Sequence, residues 1–109
     1  MNTVFSKRID SILQIGIYLE DFHIYNWALT KDQALNILDE LEKIQAAIVG
    51  GDVLRNENHV YSYTGDSWYC NRESGEPFNS YVQRSISKAR DYIAKYPVDE
   101  NTYFNFVPC

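Results

Sequence analysis

Val53-Leu54-Arg55-Asn56-Glu57-Asn58-His59-Val60-Tyr61-Ser62-Tyr63-Thr64-Gly65-Asp66-Ser67-Trp68-Tyr69-Cys70 is the stretch that decides the fold class, because here the apolar spacing turns from helical to alternating. Successive side chains of a strand point to opposite faces, so an alternating run reads as a half-buried sheet. Thr64-Gly65-Asp66-Ser67 sets Gly-Asp between two such runs and predicts a two-residue hairpin turn. In that register Tyr63 faces Trp68 and Tyr61 faces Cys70 across the pair. Asn56-Glu57-Asn58 is a second turn signal, which would bring Val53 beside Tyr61 on the same face. Tyr103–Val107 reads as a final strand whose free edge is open to another copy or to a partner.

Helical spacing surrounds this stretch. Phe5, Ile9, Ile12 and Leu13 share one face of a first helix, which Gly16 interrupts. Thr30 and Gln33 form a capping box, hydroxyl and amide each satisfying a free backbone donor at the start of a second helix. Ala34, Ile37, Leu38, Leu41 and Ile44 make its buried stripe, opposite Asp32, Asn36, Asp39, Glu40 and Lys43. A third helix begins at Pro77, where no helical donor is lost, and ends before Pro97, because the residue preceding a proline avoids helical angles. Phe78, Val82, Ile86, Ala89, Ile93 and Tyr96 are its apolar face. The expected fold is α+β: an antiparallel meander of about three to five strands, with about three helices packed mainly on one face.

The chain of 109 residues is a single-domain length, and 45% hydrophobic with 15% aromatic residues is too apolar for disorder. No run approaches the ~18 apolar residues of a membrane span, and no signal-peptide core opens the chain, so the expected location is cytoplasmic. Cys70 and Cys109 alone do not make a disulfide framework and read as free thiols. The net charge of −5 divides as −1 over residues 1–29, −3 over 30–60, −2 over 61–76 and +1 over 77–109. Such a balance gives no bulk attraction to nucleic acid or to anionic membrane, and a basic protein partner and simple solubility account for it equally well.

Chemistry-bearing motifs are sparse. His23 and His59 are the only histidines, and as an acid–base pair they give the one enzymatic alternative, a small nuclease without a basic groove to hold RNA. Cys70, His59 and Asp66 could be neighbours, yet no metal-ligand spacing is present and no metal or cofactor is expected. Gly50-Gly51-Asp52 follows an apolar run but lacks the Lys-Ser/Thr of a phosphate loop, and reads as a bulge or tight strand entry. Ser67, Ser80, Ser85 and Ser87 sit in no nucleophile-elbow pattern. Arg84, Lys88 and Lys95 share a helix face with Asp91 between them, reading as a solvated face with a Lys88–Asp91 pair rather than a nucleic-acid contact.

Gly16-Ile17-Tyr18-Leu19-Glu20-Asp21-Phe22, Tyr25-Asn26-Trp27-Ala28-Leu29-Thr30, Gly50-Gly51-Asp52-Val53 and Trp68-Tyr69-Cys70 occur in an order that resembles the immunity protein 40 family of bacterial polymorphic-toxin systems. The helix from Arg84 to Ile93 is similar to the family's closing helix, and His23 stands after Phe22 where a glycine would be expected. The resemblance implies a non-catalytic protein that binds a toxin domain used in contact-dependent competition between bacteria and blocks it. Asn26, Trp27, Gly50, Gly51, Asp52, Trp68, Tyr69 and Cys70 carry the motif and fit a structural role. Because many such toxins are nucleases with basic clefts, Asp32, Asp39, Glu40, Asp52, Asp66, Glu73 and Glu76 are the candidate toxin-binding residues. A general interaction or scaffold domain without a toxin is the principal alternative. Homo-oligomerisation is compatible with the chain but not indicated.

Overall fold

The computed structural model describes residues 3–109. Ser6 caps α1 (Lys7–Leu13) by accepting from Ile9 N, and the side chain of Asp10 ties down the approach by accepting from Val4 N and Phe5 N. A short ribbon follows, β1 (Ile17–Tyr18) antiparallel to β2 (Trp27–Ala28), joined by a 3₁₀ turn over Glu20–Phe22. His23 closes that turn with φ 59°, the left-handed angle that explains why a glycine would suit the position. α2 (Lys31–Lys43) carries the expected capping box: Thr30 Oγ1 accepts from Gln33 N, and Gln33 Oε1 accepts from Thr30 N. β3 (Ile48–Glu57) and β4 (Val60–Tyr69) form a long hairpin, α3 (Phe78–Lys95) crosses it, and β5 (Thr102–Pro108) returns beside β3. Pro77 occupies the cap of α3, one position before the first helical residue.

The result is an α+β fold with a three-stranded antiparallel sheet in the order β4-β3-β5 and the separate β1-β2 ribbon. The main core lies between the sheet and the helices. Ile48, Val53, Trp68, Phe104 and Phe106 from the strands meet Leu38, Leu41, Val82, Ile86 and Ile93 from α2 and α3. Ser85 of α3 pins the first residue of β3, its Oγ accepting from Ile48 N at 2.9 Å. Leu54, Tyr61 and Tyr103 point to the opposite face, where Leu19, Ile24 and Ala28 of the β1–β2 region cover them.

The hairpin turns elsewhere than Gly65-Asp66. Asn58 and His59 are both left-handed (φ 53° and 66°) and form the two-residue turn between ten-residue strands. Gly65 (φ 97°) sits inside β4 at a bulge: Asp52 pairs with Ser67 and Leu54 with Tyr63, so Thr64-Gly65-Asp66 bows out opposite Val53 alone. Consequently Trp68 pairs with Gly51 rather than facing Tyr63, and Tyr61 pairs with Asn56 rather than facing Cys70. Tyr61 and Val53 lie on opposite faces, not the same one.

The outer edge of β5 is also not free. Leu29 and Phe104 exchange backbone hydrogen bonds at 2.8 Å in both directions, and Asn26 Nδ2 donates to Phe106 O at 2.8 Å. Asn26 Oδ1 accepts from Trp27 N, so one buried side chain satisfies two main-chain groups. Asn26→Ala leaves both unpaired in the interior, and the expected loss is about 2 kcal/mol of unfolding free energy by urea titration. Asn26→Asp keeps the acceptor for Trp27 N but sets a buried carboxylate against the Phe106 carbonyl oxygen, so it should recover none of that loss.

Candidate functional site

The side of the sheet away from α2 and α3 is only half covered. The β1–β2 segment shields Leu54, Tyr61 and Tyr103, while Asp52, Tyr63, Tyr69 and Val107 remain outside that shield. Alternation along the strands puts these four on one face: Asp52 pairs with Ser67 and Asn105, Tyr63 with Leu54, and Tyr69 and Val107 both flank Gly50. A hollow of about 220 Å³ opens beside Asp52, lined by Gly50, Ser67, Tyr69 and Val107. Tyr69 is 69% exposed and Tyr63 55%. Lys88 of α3 reaches the Tyr69 ring, its Nζ 5.3 Å from the centroid.

Asp52 is the one half-buried acid on this face. Its backbone N–H donates to Asn105 Oδ1, but among the described residues its carboxylate has no hydrogen-bond donor and no ion-pair partner. Burial pushes its pKa above the ordinary aspartate value, with nothing opposing. Burial also raises the Tyr63 phenol, and the negative charge of Asp52 adds to that rise.

The other carboxylates read from the sequence lie apart and are differently engaged. Asp32, Asp39 and Glu40 are exposed on α2, where Asp39 pairs with Arg90 of α3 at 2.8 Å. Asp32 shares a shallow hollow of about 270 Å³ with Asp99 and Glu100. Asp66, at the bulge, accepts from the Tyr96 hydroxyl at 2.6 Å. Glu73 and Glu76 stand in the β4–α3 loop, and Glu76 accepts twice from Arg84, at 2.8 and 2.9 Å.

Arg84 is the residue whose part was hidden in the sequence. Besides Glu76 it donates to Asn71 O and to Cys70 Sγ and lies over the Tyr81 ring, gripping the end of β4. The Arg84 guanidinium holds the Glu76 carboxyl down at about 2. A depressed carboxylate stabilises the fold above its unfolded value and loses that contribution as pH falls through its folded value. The stability difference between the native chain and Glu76→Gln should therefore be constant above 4.5 and shrink as pH falls toward 2. Chemical denaturation across that window measures it, and a difference independent of pH would contradict the pairing. In α3 the intrahelical pair is Lys95–Asp91 at 3.0 Å, not Lys88–Asp91, because Lys88 leans toward Tyr69.

The motif residues converge on the interior. Trp27 packs against Tyr18 with ring centroids 4.9 Å apart. Asn26, Gly51 and Trp68 meet around Phe106: Asn26 bonds its carbonyl, Gly51 is its ladder partner, and the Trp68 ring lies edge-on to it at 6.0 Å. Cys70 is buried and Tyr81 Oη donates to its carbonyl at 2.6 Å; Cys109 is exposed and both thiols are free. Asp52 and Tyr69 are the motif members that look outward, with Gly50 between them. Phe106, Asn105, Tyr63 and Val107 complete the arrangement, and the only sequence signal for them was the alternation of the last strand and of the Tyr-rich run.

His23 and His59 are exposed on separate tight turns, each at a left-handed angle. His59 and Cys70 stand at opposite ends of β4, roughly 30 Å apart for an extended run of that length, so the triad with Asp66 does not assemble. No group of three or more His, Cys, Asp or Glu among the described residues is placed to hold a metal ion. No helix among them is long and apolar enough to cross a membrane.

Neither curated proteins nor solved structures give a match to this sequence. The model of the family described as immunity protein 40 matches residues 18–108, from β1 through the end of β5, and so takes in the ribbon, the sheet, the open face and the helices over it. The chain belongs to the immunity protein 40 family.

Proposed function

We propose that this chain is a non-catalytic, cytoplasmic immunity protein that binds one cognate toxin domain as a single domain and holds it inactive. Membership of the immunity protein family over residues 18–108 carries the reading. The charge distribution supports a basic partner: the chain is acidic overall and each segment up to residue 76 is negative. On this reading Asp32, Asp39, Glu40, Asp52, Asp66, Glu73 and Glu76 steer association with a polymorphic toxin of the contact-dependent kind, a nuclease with a basic cleft being the best electrostatic match. Nucleic acid and membrane are not partners.

The test is affinity capture of the tagged protein from its native cell, followed by expression of the captured domain alone. A toxin domain recovered at one-to-one stoichiometry, which stops growth by itself and not when this chain is co-expressed, is the expected result. Recovery of housekeeping proteins only, under conditions where the toxin is made, would favour the scaffold alternative.

A further inference from the structure

Resting on that reading, we infer that the hollow beside Asp52 receives a lysine or arginine side chain of the toxin domain, which pairs with the Asp52 carboxylate and lies between Tyr63 and Tyr69. Three observations carry it. First, a carboxylate half withdrawn from water with neither donor nor cation loses solvation without compensation, and a cation from outside restores it. Asp66, Glu76, Asp39 and Asp99 are already engaged by Tyr96, Arg84, Arg90 and Arg55, so they have less to gain from the same cation.

Second, the hollow of about 220 Å³ that Asp52 lines with Ser67, Tyr69 and Val107 has room for a long, thin side chain to reach the carboxylate. Third, the flanking groups suit the stem and head of such a residue. Val107 and the Tyr69 ring offer apolar walls, and an aromatic face attracts a cation. Lys88 takes one approach to the Tyr69 ring but makes no ion pair with Asp52. Lys88, which reaches this face at Tyr69, therefore leaves the acid open.

Asp52→Asn changes charge and almost nothing in shape. Because the carboxylate is unpaired in the free protein, the amide variant should unfold at the same or a higher denaturant concentration, whereas a residue kept for folding would lower it. Affinity for the purified toxin domain should fall by about 100-fold, the scale of a close interfacial charge pair, mainly through faster dissociation. One lysine or arginine of the toxin, changed to methionine, should reproduce the loss and add little to it in the double mutant.

Wild-type affinity for the Asp52→Asn variant, or losses that simply add for every toxin cation, would overturn the assignment while leaving the immunity role intact. Failure of the wild-type chain to bind any toxin domain would instead remove the role itself. If the hollow were filled by a second copy of this chain, toxin affinity would be unchanged and the sedimentation of the free protein would shift on substitution. That outcome also overturns the assignment.

Discussion

Trp68→Ala is expected to lower the unfolding free energy by about 4 kcal/mol, the usual range for removing a buried aromatic, out of roughly 5–15 kcal/mol for a domain. The indole is almost fully buried, stacks on Tyr92 of α3 with centroids 4.8 Å apart, and meets Phe106 of β5 edge-on. It thus joins both strands flanking β3 to the helix layer, and its deletion opens a void touching three elements. Trp68→Phe should cost much less, because the buried Nε1 donates to no group among the described residues and its loss forfeits no hydrogen bond. Chemical denaturation of the two variants separates packing from polarity. A small loss for the alanine variant would mean that the ring does not bind the sheet to α3.

Gly51→Ala comes second, at about 3 kcal/mol, the upper end of overpacking. Gly51 sits in the central strand between Trp68 and Phe106, and a Cβ there would run into the Asn105 carbonyl oxygen and into the Trp68 ring. The carbonyl belongs to the main chain of β5 and cannot swing aside, so the strand itself must shift. The ring collision disappears when Trp68 is also alanine. The double variant should accordingly cost less than the sum of the single ones by about 1–2 kcal/mol, the coupling expected of touching residues. Strict additivity would show that the ring does not lie over Gly51.

Both expectations assign the Gly-Gly and Trp-Tyr-Cys motifs chiefly to holding the sheet against α3. An immunity protein must discriminate its own toxin from others, and specificity is adjusted by changing contacts without disturbing the scaffold. Here Trp68, Gly51, Asn26 and Cys70 point inward, while Gly50, Asp52 and Tyr69 border the open face. Stability should therefore track the first group. On the proposed reading, toxin affinity should track Asp52 and its exposed neighbours Tyr63 and Val107.

The two long helices were legible because their signals are local. The capping box at Thr30 and Gln33, the stripe from Ala34 to Leu41, and the stop before Pro97 each depend on residues within a turn or two of one another. The hairpin was not. Gly65-Asp66 and Asn58-His59 both satisfy turn chemistry, and only pairing distinguishes them. Turning at Asn58-His59 lets two ten-residue strands pair along their length and sets Trp68 over the glycine that leaves room for it. Turning at Gly65 would pair only short flanks and strand β3 without that partner. Gly65 then finds its use in a bulge, where a positive φ is equally needed.

Likewise the seven candidate carboxylates were legible as charges but not as a surface. Sequence distance does not reveal that Arg90 reaches Asp39, that Tyr96 reaches Asp66, or that the Asp52 carboxylate has neither donor nor counter-charge among the described residues. By itself the sequence determined the α+β class, the helices with the capping box of α2, the acidic balance and the family. Only the tertiary structure decided the register of the hairpin, the closing of the β5 edge by Asn26 and Leu29, and that the half-buried Asp52 carboxylate lacks a partner among the described residues. Those depend on groups brought together from distant parts of the chain, whose contacts no local spacing encodes.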